Sequence, residues 1–178
     1  MGMAICMVEL TSIARGIETS DDMIKAAQVT LLRGTTVCPG KYMVIVGGET
    51  GAVRAALEAG LAKGGEFIVD SLLIPNVHEQ LFPAIAGTQE VVDPQAIGVV
   101  EFYSIASAIK AADAAAKAAQ VKLIEVRTGY AVGGKGYFTL TGDVGAVRAA
   151  VAAAEKQSEL YIGSTVIPRP SKQVLESL

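Results

Sequence analysis

The sequence predicts an α+β chain of two homologous units, each with a ferredoxin-like four-stranded antiparallel sheet and helices. The first observation is an internal repeat, because residues 4–32 and 96–124 are identical at 15 of 29 positions. The motif GAVRAA also recurs unchanged at 51–56 and 145–150. The second observation is that both copies show the order β-α-β-β-α-β, which is typical of ferredoxin-like folds.

The first half of each unit contains three predicted strands and one helix. AICMVEL is short and rich in aliphatic residues, which predicts a strand. SDDMIKAAQ begins at Ser20 with polar residues and continues with apolar residues at helical spacing, which predicts a helix. VTLLRGTTV and KYMVIVGG then predict two strands joined by the turn CPG.

The second half of the unit contains a helix, a strand and a short final helix. GETGAVRAALEAGLAKGG predicts a helix that starts at Glu49 or Thr50 and ends at the paired glycines Gly64 and Gly65. EFIVDSLLIP predicts a strand that stops at Pro75, and NVHEQLFPAI predicts the final helix. The second unit repeats this order.

The predicted domains span 3–87 and 95–178, joined near AGTQEVVDPQ. A unit of this size buries little surface and is marginal alone. We therefore expect duplication and oligomerisation to supply additional core.

Composition excludes several classes of partner. The chain has 178 residues, 51% of them hydrophobic and 19% charged, and a formal net charge of −3. A nucleic-acid partner would require a clustered excess of Lys and Arg, so we expect none. The apolar N-terminus MGMAICMVEL is interrupted by Glu9 and has neither a basic flank nor the about 20 residues of a membrane helix. We expect no membrane partner and a cytosolic setting, where thiols stay reduced.

Cys38 is an unusual residue for a predicted loop tip, TTVCPGKY, because cysteine is normally buried. The other cysteine, Cys6, lies within the first strand, where we expect a small buried hydrophobic residue. From the residues alone, Cys38 is either an unligated thiol or a ligand that several chains share.

Other candidate residues have simpler interpretations. We expect a structural or edge-contact role for His78, the only histidine. GGETGAV and TGDVGAV lack the remaining residues of a P-loop or Rossmann turn and are predicted to be helix starts. Asp21 with Lys25, and Asp113 with Lys117, are i,i+4 pairs that support a helix. No substrate-turnover site is visible, so we expect no enzyme.

The second unit, AIGVVEF…AADAAAKAAQVKLI…GGKGYFTLTGDVGAVRAAV…VIPRP, resembles the bacterial microcompartment shell domain along nearly its whole length. The first unit, with MVELTSIARGIE, DDMIKAAQV, CPGKYMVIVGGETGAVRAAL and DSLLIPNVHEQL, resembles the same domain. Two such domains, with TSIARG in the first and CPGK in its central loop, are similar to the tandem-domain shell proteins of the propanediol-utilization type. Proteins of that group form trimers with an iron–sulfur cluster in the central pore.

The resemblance implies a flat homotrimer whose six domains form a pseudohexamer. The loop between the second and third strands of each unit would face the central axis. The pore-lining residues would then be Pro39, Gly40, Lys41, Gly133, Gly134 and Gly136.

Three copies of Cys38 would hold a [4Fe–4S] cluster shared by three chains, with a non-protein ligand on the fourth iron. Lys41 would stabilise the charge of the thiolate or of the cluster. Zinc on three thiolates and water is a weaker alternative.

The resemblance also implies a tile edge formed by Lys25, Lys117 and Arg169; Asn76 stands in the first unit where Arg169 stands in the second. Partners would be neighbouring shell proteins in a hexagonal layer and an encapsulated or cytosolic redox enzyme. The protein would lie in a microcompartment shell in the cytoplasm.

The implied function is electron transfer across the shell or storage of clusters. One alternative is a tile whose pore conducts a small metabolite. Another is a ferredoxin-like regulatory domain that binds a small ligand between subunits.

Overall fold

The computed structural model describes residues 3–91 and 94–175. Within these ranges the chain forms two successive β-α-β-β-α-β series, each followed by a short helix. The end of the second predicted domain, residues 176–178, lies outside the described residues.

The first series consists of β1 (Ala4–Leu10), α1 (Ile13–Ala26), β2 (Thr30–Val37), β3 (Lys41–Gly48), α2 (Thr50–Gly64), a 3-10 turn (Gly65–Phe67), β4 (Ile68–Ile74) and α3 (Leu81–Ala86). The second series consists of β5 (Ala96–Phe102), α4 (Ile105–Ala118), β6 (Lys122–Thr128), β7 (Gly136–Gly142), α5 (Val144–Glu155), β8 (Tyr161–Pro168) and α6 (Lys172–Leu175).

Each series builds one four-stranded sheet in which every neighbouring pair of strands is antiparallel. The strand orders are β2-β3-β1-β4 and β6-β7-β5-β8. The apolar strands β1 and β5 are therefore central, as the composition of AICMVEL and AIGVVEF indicates. The predicted fold class is confirmed.

The start of α1 differs from the prediction. The helix begins at Ile13 rather than at Ser20, and the Oγ atom of Ser12 accepts a hydrogen bond from the backbone N–H of Arg15 at 3.2 Å. Ser20 lies inside the helix and donates to the carbonyl of Gly16 at 2.8 Å. A serine can cap a helix or bond back to the preceding turn, so its presence alone does not identify the start.

Most other predicted boundaries are confirmed. Glu49 is the N-cap of α2, and Gly65, with a φ of 53°, is its C-cap. β4 ends at Ile74, directly before the proline. The predicted final helix begins later than expected, at Leu81.

The core of the first sheet lies between the sheet and helices α1 and α2. Alternate residues of β1 and β3 supply its strand side, and Met23, Val53 and Ala56 supply its helix side. Cys6 belongs to this core and is fully buried, as expected for a small hydrophobic residue.

The described chain forms two compact units. The first contains the chain up to Val77 together with two later segments, Ser104–Ser107 and Gly129–Lys135; the second contains the remaining described residues. Helix α3 therefore groups with the second unit. The domain limits drawn from the sequence, 3–87 and 95–178, stay a prediction.

None of the helices in the described ranges is long and apolar enough to cross a membrane.

Candidate functional site

Cys38 lies in the three-residue turn between β2 and β3, where Val37 pairs with Lys41. The Cys38–Pro39 peptide bond is cis, and Gly40 has a φ of 81°. The thiol is free and half-buried, whereas Pro39 and Gly40 are exposed. The turn thus places a half-buried cysteine at the end of the β2–β3 hairpin.

The segment Gly129–Lys135, which belongs to the same compact unit, holds the backbone of this turn in place. The N–H of Cys38 donates to the carbonyl of Gly129 at 3.2 Å. A Cβ atom added to Gly134 would lie 2.6 Å from the Cys38 carbonyl oxygen and 2.9 Å from Cδ of Pro39. No side chain fits at Gly134, because the two backbone segments approach each other too closely for any residue but glycine.

The predicted pore-lining residues differ in exposure. Pro39, Gly40 and Gly133 are exposed, and Lys41 is half-buried. Gly134 and Gly136 are buried, and Gly136 is the first residue of β7 rather than part of the loop. Their assignment to a pore stays a prediction.

Lys41 has two partners within the chain, and its proposed effect on a cluster stays a prediction. Its ammonium forms an ion pair with the carboxylate of Glu9, whose side chain is fully buried, and donates to the carbonyl of Gly134 at 3.2 Å. The other oxygen of Glu9 accepts from the backbone N–H of Ile105 at 3.0 Å. Glu9 therefore balances the charge of Lys41, and the ion pair fastens the end of the turn to β1.

Sequence reasoning missed the role of Glu9. The available signal was a carboxylate inside an apolar strand, repeated at Glu101 in the second copy. A buried charge requires a partner, so this pattern predicts an ion pair or a capped helix. The partner residues lie 32 and 96 positions away, beyond any local pattern.

The two thiols of the chain differ strongly in their surroundings. Burial raises the pKa of the Cys6 thiol to about 12, whereas Cys38 is only half-buried. Among the described residues, no three His, Cys, Asp or Glu side chains are grouped so that they could hold a metal ion. A multi-thiolate site built on Cys38 would therefore draw its ligands from several chains.

The two predicted edge lysines both form the i,i+4 pairs expected from the sequence. Lys25 pairs with Asp21 on the exposed surface of α1, and this contact raises the pKa of Lys25. Lys117 pairs with Asp113 at 2.5 Å. The carboxylate of Asp113 also accepts from the backbone N–H of His78 at 2.7 Å, which gives His78 a structural contact in the second unit.

Arg169, the third predicted edge residue, is exposed directly after β8. Its φ is 49°, and its N–H donates to the carbonyl of Gln95 at 2.8 Å.

The segments GGETGAV and TGDVGAV are helix starts, as predicted, because they lead into α2 and α5. Asp143 caps α5 by accepting from the N–H of Ala146 at 2.8 Å.

Comparison with known proteins gives the family. The BMC domain matches this chain twice, over residues 4–77 and 96–170. The bacterial microcompartment shell protein PduT of Citrobacter freundii is 44% identical over 177 residues, covering 98% of this chain and 96% of that protein.

Two solved structures are similar to the whole chain or most of it. A microcompartment protein from Desulfitobacterium hafniense DCB has a TM-score of 0.88 and 42% identity, over 99% of both chains. A fused permuted hexameric shell protein from the RMM microcompartment has a TM-score of 0.64 and 30% identity, over 85% of this chain and 81% of that one. The chain therefore belongs to the BMC-domain family and is a shell protein of a bacterial microcompartment, built from two tandem BMC domains.

Proposed function

We propose that this shell protein is a homotrimeric pseudohexamer that holds a [4Fe–4S] cluster on its three-fold axis through Cys38 of each chain. The tile would sit in a hexagonal layer of shell proteins and pass electrons across the shell to an encapsulated or cytosolic redox enzyme. The observation that carries the proposal is the half-buried free cysteine Cys38 on a turn whose backbone contacts Gly129 and Gly134.

The number of domains supports a trimer. Each chain carries two BMC domains, so three chains supply the six domains of a hexagonal tile. One structural relative is itself described as a fused hexameric shell protein. A closed ring of three identical chains is an ordinary form of symmetric assembly.

The residues of the turn fit a shared cluster. Cysteine thiolates are the usual ligands of [4Fe–4S] clusters, and three-fold symmetry brings three of them together from one cysteine per chain. The fourth iron would take a ligand from outside the protein. When bound, the cluster supplies one-electron transfer.

The chain's own contribution is to place the thiol and keep it in place. The hydrogen bond from Cys38 to Gly129 and the contact with Gly134 fix the backbone that carries the thiol. The ion pair of Lys41 with Glu9 anchors the first residue of β3 to β1. None of these groups needs to perform a reaction, so we propose that the protein is not an enzyme.

The second candidate function is a tile without a cluster whose pore conducts a small metabolite. It is favoured by the exposed backbone of Gly40 and Gly133, where an added Cβ would meet no atom of the chain within 4 Å. A pore lined by backbone groups would offer a small polar molecule donors and acceptors without a fixed charge.

Iron and acid-labile sulfide analysis of protein purified without oxygen, together with EPR after reduction, tests the proposal. We expect about four iron and four sulfide per three chains, and a Cys38→Ser variant that remains trimeric but loses essentially all iron. The loss should be complete because one substitution removes three ligands. Wild-type protein that forms sheets but binds no iron would leave the metabolite pore as the function, and stoichiometric zinc would replace the cluster by a zinc site.

A further inference from the structure

We propose that Glu9 sets the reduction potential of the site on the three-fold axis, by neutralising the charge that Lys41 places beside the Cys38 turn. This inference rests on the proposed cluster and names a positioning residue for its electron transfer. The net charge around an iron–sulfur cluster is one of the quantities that set its potential. A buried ion pair next to the turn is therefore part of the redox site, although neither of its residues is a ligand.

Lys41 holds its charge against the backbone that positions the thiol. A Cβ atom added to Gly134 would lie 3.1 Å from Cε of Lys41 and 2.6 Å from the carbonyl oxygen of Cys38, so both atoms surround the same point. The lysine ammonium also donates to the carbonyl of Gly134 at 3.2 Å. All of these residues belong to the first compact unit.

Glu9 reaches Lys41 from the face of the first sheet that lies opposite the helical core. Its neighbours Val8 and Leu10 point into that core, so the side chain of Glu9 points away from it. The Glu9 side chain is fully buried and that of Lys41 is mostly buried. Solvent therefore screens the pair little, and a change in either charge acts at short range in a medium of low dielectric constant.

A second carboxylate on the same face has different partners. Asp70 lies opposite Glu9 on β4. It accepts hydrogen bonds from the hydroxyls of Ser104 and Ser107, whereas Glu9 pairs with the lysine. The charge at the turn can therefore be changed at Glu9 without altering the carboxylate of Asp70.

Glu9 can lose its charge with little change in shape. Its second oxygen accepts from the backbone N–H of Ile105 at 3.0 Å. The amide oxygen of a glutamine can accept the same bond, because an amide carbonyl is also an acceptor. Glu9→Gln therefore removes the charge that balances Lys41 and keeps the contact with the start of α4.

Symmetry multiplies the effect of such a substitution. In the proposed trimer, one substitution changes three side chains that are placed equally around the axis. Glu9→Gln leaves three lysine charges unbalanced. These charges favour the reduced form, because one-electron reduction adds a negative charge on the axis. Removing the lysine as well, in Glu9→Gln/Lys41→Met, restores the balance of charge and should return the potential towards the wild-type value.

A redox titration of protein purified without oxygen tests the proposal. Dithionite is the one-electron reductant, and the EPR signal of the reduced protein is followed against the solution potential. We expect Glu9→Gln to raise the midpoint potential by about 59 mV or more, which is a tenfold change in the equilibrium constant for one electron. Glu9→Gln/Lys41→Met should lie closer to the wild type than Glu9→Gln does.

Glu58→Gln is the matched control. It makes the same change in charge at an exposed position of α2, a helix that packs on the other face of the sheet. We expect this variant to keep the wild-type potential. If the double variant does not fold, the shift in Glu9→Gln relative to Glu58→Gln still decides between a charge effect and none.

Iron analysis of the same samples separates the two hypotheses. Wild-type protein without iron contradicts the proposed cluster and this inference together. Wild-type protein with a full cluster, whose potential Glu9→Gln leaves unchanged or lowers, contradicts this inference and leaves the cluster standing. A double variant shifted as far as Glu9→Gln does the same, because the charge of Lys41 is then not the cause. Loss of iron in Glu9→Gln but not in Glu58→Gln also contradicts the inference, because it assigns Glu9 a purely structural role.

Discussion

Lys41 and Glu9 form an ion pair that fastens the turn carrying Cys38 to the central strand β1. The Glu9 side chain is 0% exposed and that of Lys41 is 13% exposed. Each has one further partner: Glu9 accepts from Ile105, and Lys41 donates to Gly134. The pair therefore joins four backbone segments that are distant in sequence.

Removing one member of this pair should destabilise the protein strongly. Lys41→Met leaves the carboxylate of Glu9 buried without its cation, and we expect a loss of about 3–5 kcal/mol in the free energy of unfolding. The single variant Glu9→Gln should also be destabilised. The double variant Glu9→Gln/Lys41→Met should lose less free energy of unfolding than the two single variants lose together, because it leaves no buried charge. Urea unfolding at one fixed protein concentration measures all three; additive losses would show that the pair contributes no coupling.

Gly134→Ala should disturb the Cys38 turn, whereas Gly133→Ala should not. Both glycines have a positive φ, 81° and 64°, so both variants have a backbone cost of about 1–2 kcal/mol. Only at Gly134 would the new Cβ also overlap the Cys38 carbonyl, at 2.6 Å, which adds about 1–3 kcal/mol. Under the proposed function, Gly134→Ala should also lower the iron content. Equal melting temperatures and iron contents for the two variants would argue against a fixed turn.

The buried Cys6 thiol should make stability fall at alkaline pH. Burial raises its pKa from 9.0 to about 12, so between these values the unfolded chain has lost a proton that the folded chain keeps. The unfolded state then binds fewer protons, and stability decreases as pH rises. Below pH 9 the contribution is fully present.

The check is urea unfolding at a series of pH values for the protein with and without Cys6→Ala. We expect the protein that retains Cys6 to lose stability more steeply than Cys6→Ala above pH 9, and the two slopes to agree below it. Parallel curves up to pH 12 would mean that the thiol ionises as easily in the folded chain as in the unfolded one.

Lys25→Ala and Lys117→Ala should weaken lateral tiling without affecting the trimer. Both lysines are exposed at equivalent positions of the repeat, and the resemblance to shell domains implies that they lie where tiles meet. Electron microscopy should show smaller and less ordered sheets than the wild type forms. Lys110→Ala is the control, because Lys110 is an exposed lysine on the same helix as Lys117. Sheets of wild-type size and order in the Lys25→Ala and Lys117→Ala variants would contradict the assignment of these lysines to the tile edge.

Much of the fold follows from local patterns in the sequence. The repeat predicts two equivalent sheets, aliphatic runs predict the central strands, and Gly65 and Pro75 predict where α2 and β4 end. These signals are reliable because each depends on the backbone preferences of a few adjacent residues. The predicted start of α1 at Ser20 was wrong. Ser12 and Ser20 are both residues that can cap a helix, and only the folded structure shows that Ser12 does so.

The candidate site divides in the same way. The sequence alone determined that Cys38 sits on a turn and that Cys6 belongs to a strand, because the aliphatic run AICMVEL and the CPG turn are local properties. Only the tertiary structure decided that Lys41 pairs with Glu9, that Gly134 rather than Gly133 approaches Cys38, and that Ile105 is buried while its equivalent Ile13 is exposed. These outcomes depend on which distant segments meet, and identical residues in the two copies of the repeat differ only in the neighbours that folding gives them.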